Sequence, residues 1–120
     1  MTLVTSPIEI VVGESNVFEV DLSTDLDPGD EVWFTAKYRR SDSDAQAAIT
    51  KTRTGGGIVD VDGVAGICQV KLLPADTDDL TGRALLYDVK VKKVDQNPDL
   101  VQTVNTGVAI ILRPVNNNAS

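Results

Sequence analysis

Apolar side chains return at every second position along most of this chain, and a period of two rules out a helical fold. Between Arg83 and Val94, the residues Leu85, Tyr87, Val89 and Val91 share one face, and Asp88, Lys90 and Lys92 share the other. Successive side chains of an extended strand point to opposite faces, so this segment is a strand with one dry side and one wet side. Ile8, Ile10 and Val12 follow the same rule, as do Phe18, Val20 and Leu22, and Cys68, Val70 and Leu72. In EVWFTAKYRR, Val32, Phe34, Ala36 and Tyr38 fall on one face, opposite Trp33, Thr35 and Lys37. Five aromatic residues are too few to fill a core, so Val, Ile and Leu must do so, and these residues suit strands.

Turn-forming residues punctuate the strands. Gly13-Glu14-Ser15 reads as a turn, and Ser23 to Asp30 as a loop in which Pro28-Gly29 suits a tight turn. Ser41 to Ala48 is polar and small, either a loop or one short helical turn. Ile49 to Thr54 is an expected strand, ended by Gly55-Gly56-Gly57, which reads as a flexible hairpin tip. Ile58 to Val61 is another expected strand, followed by a hairpin-type turn at Asp62-Gly63. Pro74 to Gly82 is expected to form one short helical turn bridging two sheets. Asp95 to Asp99 is a turn, and the last strand runs from about Leu100 to Pro114. Within it, Val108 to Leu112 is apolar on both faces, as in a strand that is central or covered by a partner. The expected architecture is a single all-β domain over residues 1–115, an Ig-like β-sandwich of seven or eight antiparallel strands, with a flexible tail over 116–120.

With 120 residues the chain fits one domain. Its formal net charge is -7, a sign that repels phosphates and anionic headgroups and argues against a nucleic-acid or membrane-surface partner. The N-terminal MTLVTSPIEIVV has neither a basic region nor a long apolar run, so no signal peptide or membrane span is expected, and synthesis in a cytoplasm is.

The sequence offers little for chemistry. The chain contains no His, the usual general base near neutral pH and the commonest metal ligand. A single Cys68 can form neither an internal disulfide nor a cysteine-rich zinc site, and its alternation with Val70 and Leu72 turns it inward. Two acidic loops stand out, one with Asp21, Asp25, Asp27 and Asp30 and the other with Asp76, Asp78 and Asp79. Neither DVDG from Asp60 nor the loop from Asp21 ends in the bidentate Glu of an EF-hand, and Asp is a favoured turn and cap residue. The three glycines at 55–57 lie after Lys51 and Arg53, the reverse of a phosphate-binding loop. The expectation is therefore no catalytic residue, no cofactor and no metal. Trp33 is singled out because Phe34 inside would turn it to the outer face. There it is either an interface anchor or partly covered by a neighbouring loop or strand.

The run KLLPADTDDLTGRALLYDVKVKKV, followed by QTVNTGVAIILRPV, resembles the N-terminal domain of phage baseplate upper proteins. The segments that carry the likeness are Leu72-Leu73-Pro74, Asp76-Thr77, Leu80 to Gly82, Tyr87-Asp88-Val89, and Thr103-Val104 with Gly107. EVWFTAKYR resembles the family's middle strand and Gly63 to Val70 its next one, while Val12-Gly13-Glu14-Ser15 stands where the family has an Arg-Gly-Asp-like opening. The resemblance implies a baseplate-upper-protein-like β-sandwich serving as a non-enzymatic structural part of a tailed bacteriophage virion, made in the host bacterial cytoplasm. The part would be a head decoration, head-tail connection, neck or baseplate protein. Such a part packs against other virion structural proteins and forms a homo-oligomer, which calls for an apolar patch and an available edge strand. The candidates are Trp33, the outward residues of the last strand taken as Ala109 and Ile111, and Leu3 and Val4 of an apolar N-terminal strand, the alternative for Ala109 and Ile111 being that they are covered within the sandwich. A carbohydrate- or receptor-binding module is the alternative.

Overall fold

The computed structural model describes residues 7–94 and 99–114. The strands are β1 (Ile8–Val11), β2 (Asn16–Asp21), β3 (Glu31–Lys37), β4 (Ile49–Thr52), β5 (Ile58–Asp62), β6 (Ile67–Leu72), β7 (Ala84–Lys93) and β8 (Leu100–Leu112). They form a five-stranded sheet in the order β1-β8-β7-β3-β4 and a three-stranded sheet in the order β2-β6-β5. Among the described residues helix is confined to a 3-10 turn at Asp44–Gln46 and one α-turn, α1 (Pro74–Thr77), both in segments where the sequence allowed a helical turn.

The chain is all-β, and its dry faces meet in one cluster. From the five-stranded sheet come Ile10, Val32, Phe34, Ala36, Leu85, Val89, Val91 and Ala109, and from the other Ile58, Cys68, Val70 and Leu72. Three rings join the two sheets. Phe18 of β2 stacks on Phe34 with centroids 6.5 Å apart, and Phe34 stacks on Tyr87 at 5.7 Å. Such offset stacking contributes about 0.5–1.5 kcal/mol per pair beyond the area buried.

Among the described residues pairing is antiparallel except at one place. β1 runs parallel to β8, with Ile8 opposite Ala109 and Val11 opposite Leu112. The sequence reading expected antiparallel strands throughout. A period of two fixes which face a side chain takes but not the direction of the neighbouring strand, and only the tertiary path brings the first strand beside the last.

Two further segments depart from expectation. β4 and β5 lie in different sheets, so Gly55-Gly56-Gly57 is a crossover and not a hairpin tip. Gly57 also continues the β5–β6 ladder, its carbonyl accepting the Lys71 N–H at 2.8 Å. Tyr38 lies beyond the end of β3 and is 40% exposed, out of line with Phe34 and Ala36. Its hydroxyl accepts the Thr81 N–H at 2.9 Å.

The turn after β1 is closed by a buried amide. Asn16 Oδ1 accepts the Val11 N–H, while Nδ2 donates to the carbonyls of Val11 and Glu14, all at 3.0 Å. The Gly13 N–H then donates to Thr77 Oγ1 at 2.9 Å, tying this turn to α1.

Candidate functional site

Three acids of the first loop, Asp25, Asp27 and Asp30, gather around a lysine, while Asp21 accepts the Ser23 N–H instead. Val91 and Lys93 are in phase along β7, so Lys93 also points inward, where it is only 4% exposed. Its Nζ lies 2.6 Å from Asp30 Oδ2, 3.3 Å from Asp27 Oδ2 and 3.5 Å from Asp25 Oδ1, and it donates to the Asp25 carbonyl at 2.7 Å. Asp30 is itself buried, and its carboxylate accepts the N–H groups of Asp27 and Val94. Burial acts to raise the Asp30 carboxyl, but the hydrogen bonds from Lys93, Asp27 and Val94 outweigh it and hold the group below its ordinary value. Burial likewise acts to lower Lys93, and its hydrogen bonds to Asp30 and Asp27, with the charges of Asp30 and Asp25, raise it instead.

Arg53 secures the same loop from the other side. It forms a two-pronged pair with Asp60, at 2.9 and 2.7 Å, and donates to the carbonyls of Asp27 and Asp30 at 2.9 and 2.8 Å. Among the described residues, no buried side-chain nitrogen or oxygen is without a hydrogen-bond partner. This network pins a loop. Its acids take cations that the protein itself supplies. In the second loop Asp76 likewise pairs with Lys51 at 2.7 Å and caps α1 by accepting the Leu73 N–H at 2.6 Å.

Cys68 is fully buried, and burial with the nearby Asp60 charge pushes its thiol up to about 11. A thiol so placed is a core side chain and a poor nucleophile.

The outer face of the five-stranded sheet is the surface with most to offer a partner. Trp33 lies on it, half-buried, as expected from the inward Phe34. Around it Thr35, Asp44, Thr50, Asp88, Lys90 and Val101 line a recess of about 390 Å³. Further along the same face, Val108, Ile110 and Leu112 are between 37% and 39% exposed. Their neighbours by register are Leu86, opposite Val108, and Val11, opposite Leu112. Together they make an apolar strip across β1, β8 and β7.

This corrects two of the expected interface residues. Ala109 and Ile111 are 0% and 6% exposed and belong to the core. Residues directly opposite in an antiparallel pair share a face, and Ala109 faces Leu85, which is inside. The run Val108 to Leu112 is apolar throughout, so its alternation carries no phase, and only this pairing sets it. The outward set is Val108, Ile110 and Leu112. Counting back from the inward Leu85 could have found Leu86, but nothing in the sequence gave the register across to β8. Leu3 and Val4 lie outside the described residues.

Comparison with protein-family models and with curated proteins finds no match for this chain.

Proposed function

We propose that this protein is a non-enzymatic structural component of a tailed bacteriophage particle, a head decoration, head-tail connection, neck or baseplate protein, that works by packing against other virion proteins and against copies of itself. In this reading the two sheets form an Ig-like sandwich of the baseplate-upper-protein kind. The observation that carries the proposal is the strip Val11, Leu86, Val108, Ile110 and Leu112. It leaves large apolar side chains partly open on the outer face, beside Glu9, which pairs with Ile110, and on the same face as Trp33 and the exposed Val101. Contiguous exposed apolar surface marks protein–protein contact more often than scattered residues do. The acidic net charge keeps such a surface from collecting nucleic acid and favours a partner with basic character. The resemblance carried by the segment from Leu72 to Gly107 supplies the virion context.

The test is a solution mass by light scattering, with co-sedimentation on particles. The expected result is a defined oligomer or particle binding, lost in the double variant Ile110→Lys with Leu112→Lys. A wild-type chain that stays monomeric and ignores particles overturns the reading.

The recess beside Trp33 favours a second reading, a carbohydrate- or receptor-binding module. An indole with Asp44, Asp88 and Thr50 around it combines a stacking platform with hydrogen-bonding groups. A glycan-array signal from a monomer, abolished by Trp33→Ala, would select it.

A further inference from the structure

Three strands lie over five, and the cover falls short on one side. β2 is an edge strand of the smaller sheet, and among the described residues no strand pairs with its other side. The inward residues of β6, Cys68, Val70 and Leu72, are closed to solvent, whereas Phe18 and Val20 of β2 and Ile8 of β1 are only partly buried. These three partly covered side chains share one slot of about 250 Å³, with Phe34, Tyr87 and Val89 as its other apolar walls. Glu19 and Asp21 also border it, so the slot runs along the edge of β2.

Backbone phase sets which groups this edge offers. The Leu22 N–H donates to the Gly66 carbonyl, on the β6 side, at 2.9 Å. In an antiparallel pair every second residue turns both its backbone groups to the same neighbour, so Val20, Phe18 and Asn16 bond to β6. The N–H and C=O groups of Val17, Glu19 and Asp21 therefore turn outward. A row of outward amides beside an apolar slot fits an extended strand, held by main-chain bonds while its alternate side chains fill the slot.

Charge selects the strand. A side chain opposite Phe18 or Val20 enters the slot, and one opposite Glu19 or Asp21 stands on the outer face beside those carboxylates. On that face the ladder sets Gln69 beside Glu19 and Ile67 beside Asp21, so β6 supplies neither acid with a cation. We propose that the edge of β2 binds an extended segment of another protein, in which apolar residues alternate with Lys or Arg, as a fourth strand of the smaller sheet. A second copy offering the same edge would bring Glu19 and Asp21 against like charges, which disfavours self-pairing. The inference uses neither the apolar strip of the other sheet nor the virion reading.

The test is a short labelled peptide of alternating Val and Lys, followed by fluorescence anisotropy and by hydrogen exchange of the full chain. One control peptide has the same composition in two blocks, and another alternates Val with Glu. The alternating Val-Lys peptide is expected to bind at least about tenfold more tightly than either control and to slow the Val17, Glu19 and Asp21 amides of the unaltered protein at least about tenfold. The exposed Glu19→Lys should weaken that binding at least about threefold. Equal binding of the block peptide would mean charge attraction alone and overturns the proposal. Binding without slower exchange, affinity unchanged by Glu19→Lys, and no binding each overturn it too. So do amides already slow in the protein by itself: slowing that grows with protein concentration assigns the edge to a second copy, and slowing at every concentration assigns it to this chain.

Discussion

Lys93 and Asp30 form an ion pair at 2.6 Å with the Asp30 carboxylate closed to solvent and the lysine side chain only 5% open. The two residues come from opposite ends of the chain's middle, and their contact fixes the loop between β2 and β3 to the end of β7. Removing one charge strands the other where water cannot reach it. Lys93→Ala is therefore expected to lower unfolding stability by about 3–5 kcal/mol. Lys92→Ala, whose partner Asp99 is 3.6 Å away and open to water, should change stability by less than about 0.5 kcal/mol. Urea titration of both variants measures the contrast, and equal effects would show that the pair does not hold the loop.

The same pair sets a pH dependence. The folded-state value of Asp30 lies below the ordinary 3.8, so on acidification the unfolded chain takes up this proton first. The stabilisation is complete above the ordinary value and is lost as pH falls through the lowered one. Lys93 behaves oppositely. Its value is raised above 10.5, so its contribution is complete below that pH and is lost only when pH climbs through the raised value. Both contributions are present at neutral pH. Melting temperature should therefore drop on the acid side in the wild type, and the gap between wild type and Asp30→Asn should shrink as acid protonates the aspartate. A gap that stays constant from neutral to strongly acidic pH would mean that Asp30 is not ionised in the fold.

Side-chain facing was legible wherever apolar and polar residues alternate. Val32 and Phe34, Cys68 and Val70, and Leu85 to Val91 are all buried as that alternation requires. Facing was illegible at Val108 to Leu112, where every side chain is apolar and a neighbouring strand sets the phase. There is also a register shift between Val89 and Lys90, which breaks any count carried along β8 from its start. Trp33 on the outer face followed from Phe34 alone. Lys93 was missed although it continues the inward phase of β7, because a lysine in that phase reads as the end of a strand until its acidic partners, more than sixty residues away, are seen. The parallel placement of β1 had no local signal.

Gly66 separates two costs that glycine substitutions usually mix. It and Gly13 both have positive φ, +76° and +77°, so an alanine at either meets the same backbone strain of about 1–2 kcal/mol. A Cβ at Gly13 would meet nothing within 4 Å, whereas at Gly66 it would lie 1.8 Å from the Thr24 carbonyl oxygen. That carbonyl belongs to the loop that Lys93 and Arg53 pin, and the Gly66 carbonyl in turn accepts the Leu22 N–H at 2.9 Å. Gly66→Ala must push the loop away and is expected to cost at least about 2 kcal/mol more than Gly13→Ala. Denaturant midpoints of the two variants test this, and near-equal losses would mean that the loop is not packed on the turn.

The Cys68 thiol provides a probe of core opening that needs no mutation. It is fully buried between Val20 across the β2–β6 ladder and Asp60 across the β5–β6 ladder, and its value of about 11 leaves almost no thiolate near neutral pH. A disulfide reagent needs the thiolate and a path to it, so both barriers act together. In native buffer the reaction should be slower than with a free thiol by about the fraction of time the core is open, a factor of 10³ or more. Denaturant should release one reactive thiol per chain, and the labelling rate should follow the unfolding transition. Lys93→Ala and Gly66→Ala should each speed native-state labelling about tenfold for every 1.4 kcal/mol of stability they remove. Fast stoichiometric labelling of the wild type without denaturant would place Cys68 at the surface and overturn the packing of β6 against the five-stranded sheet.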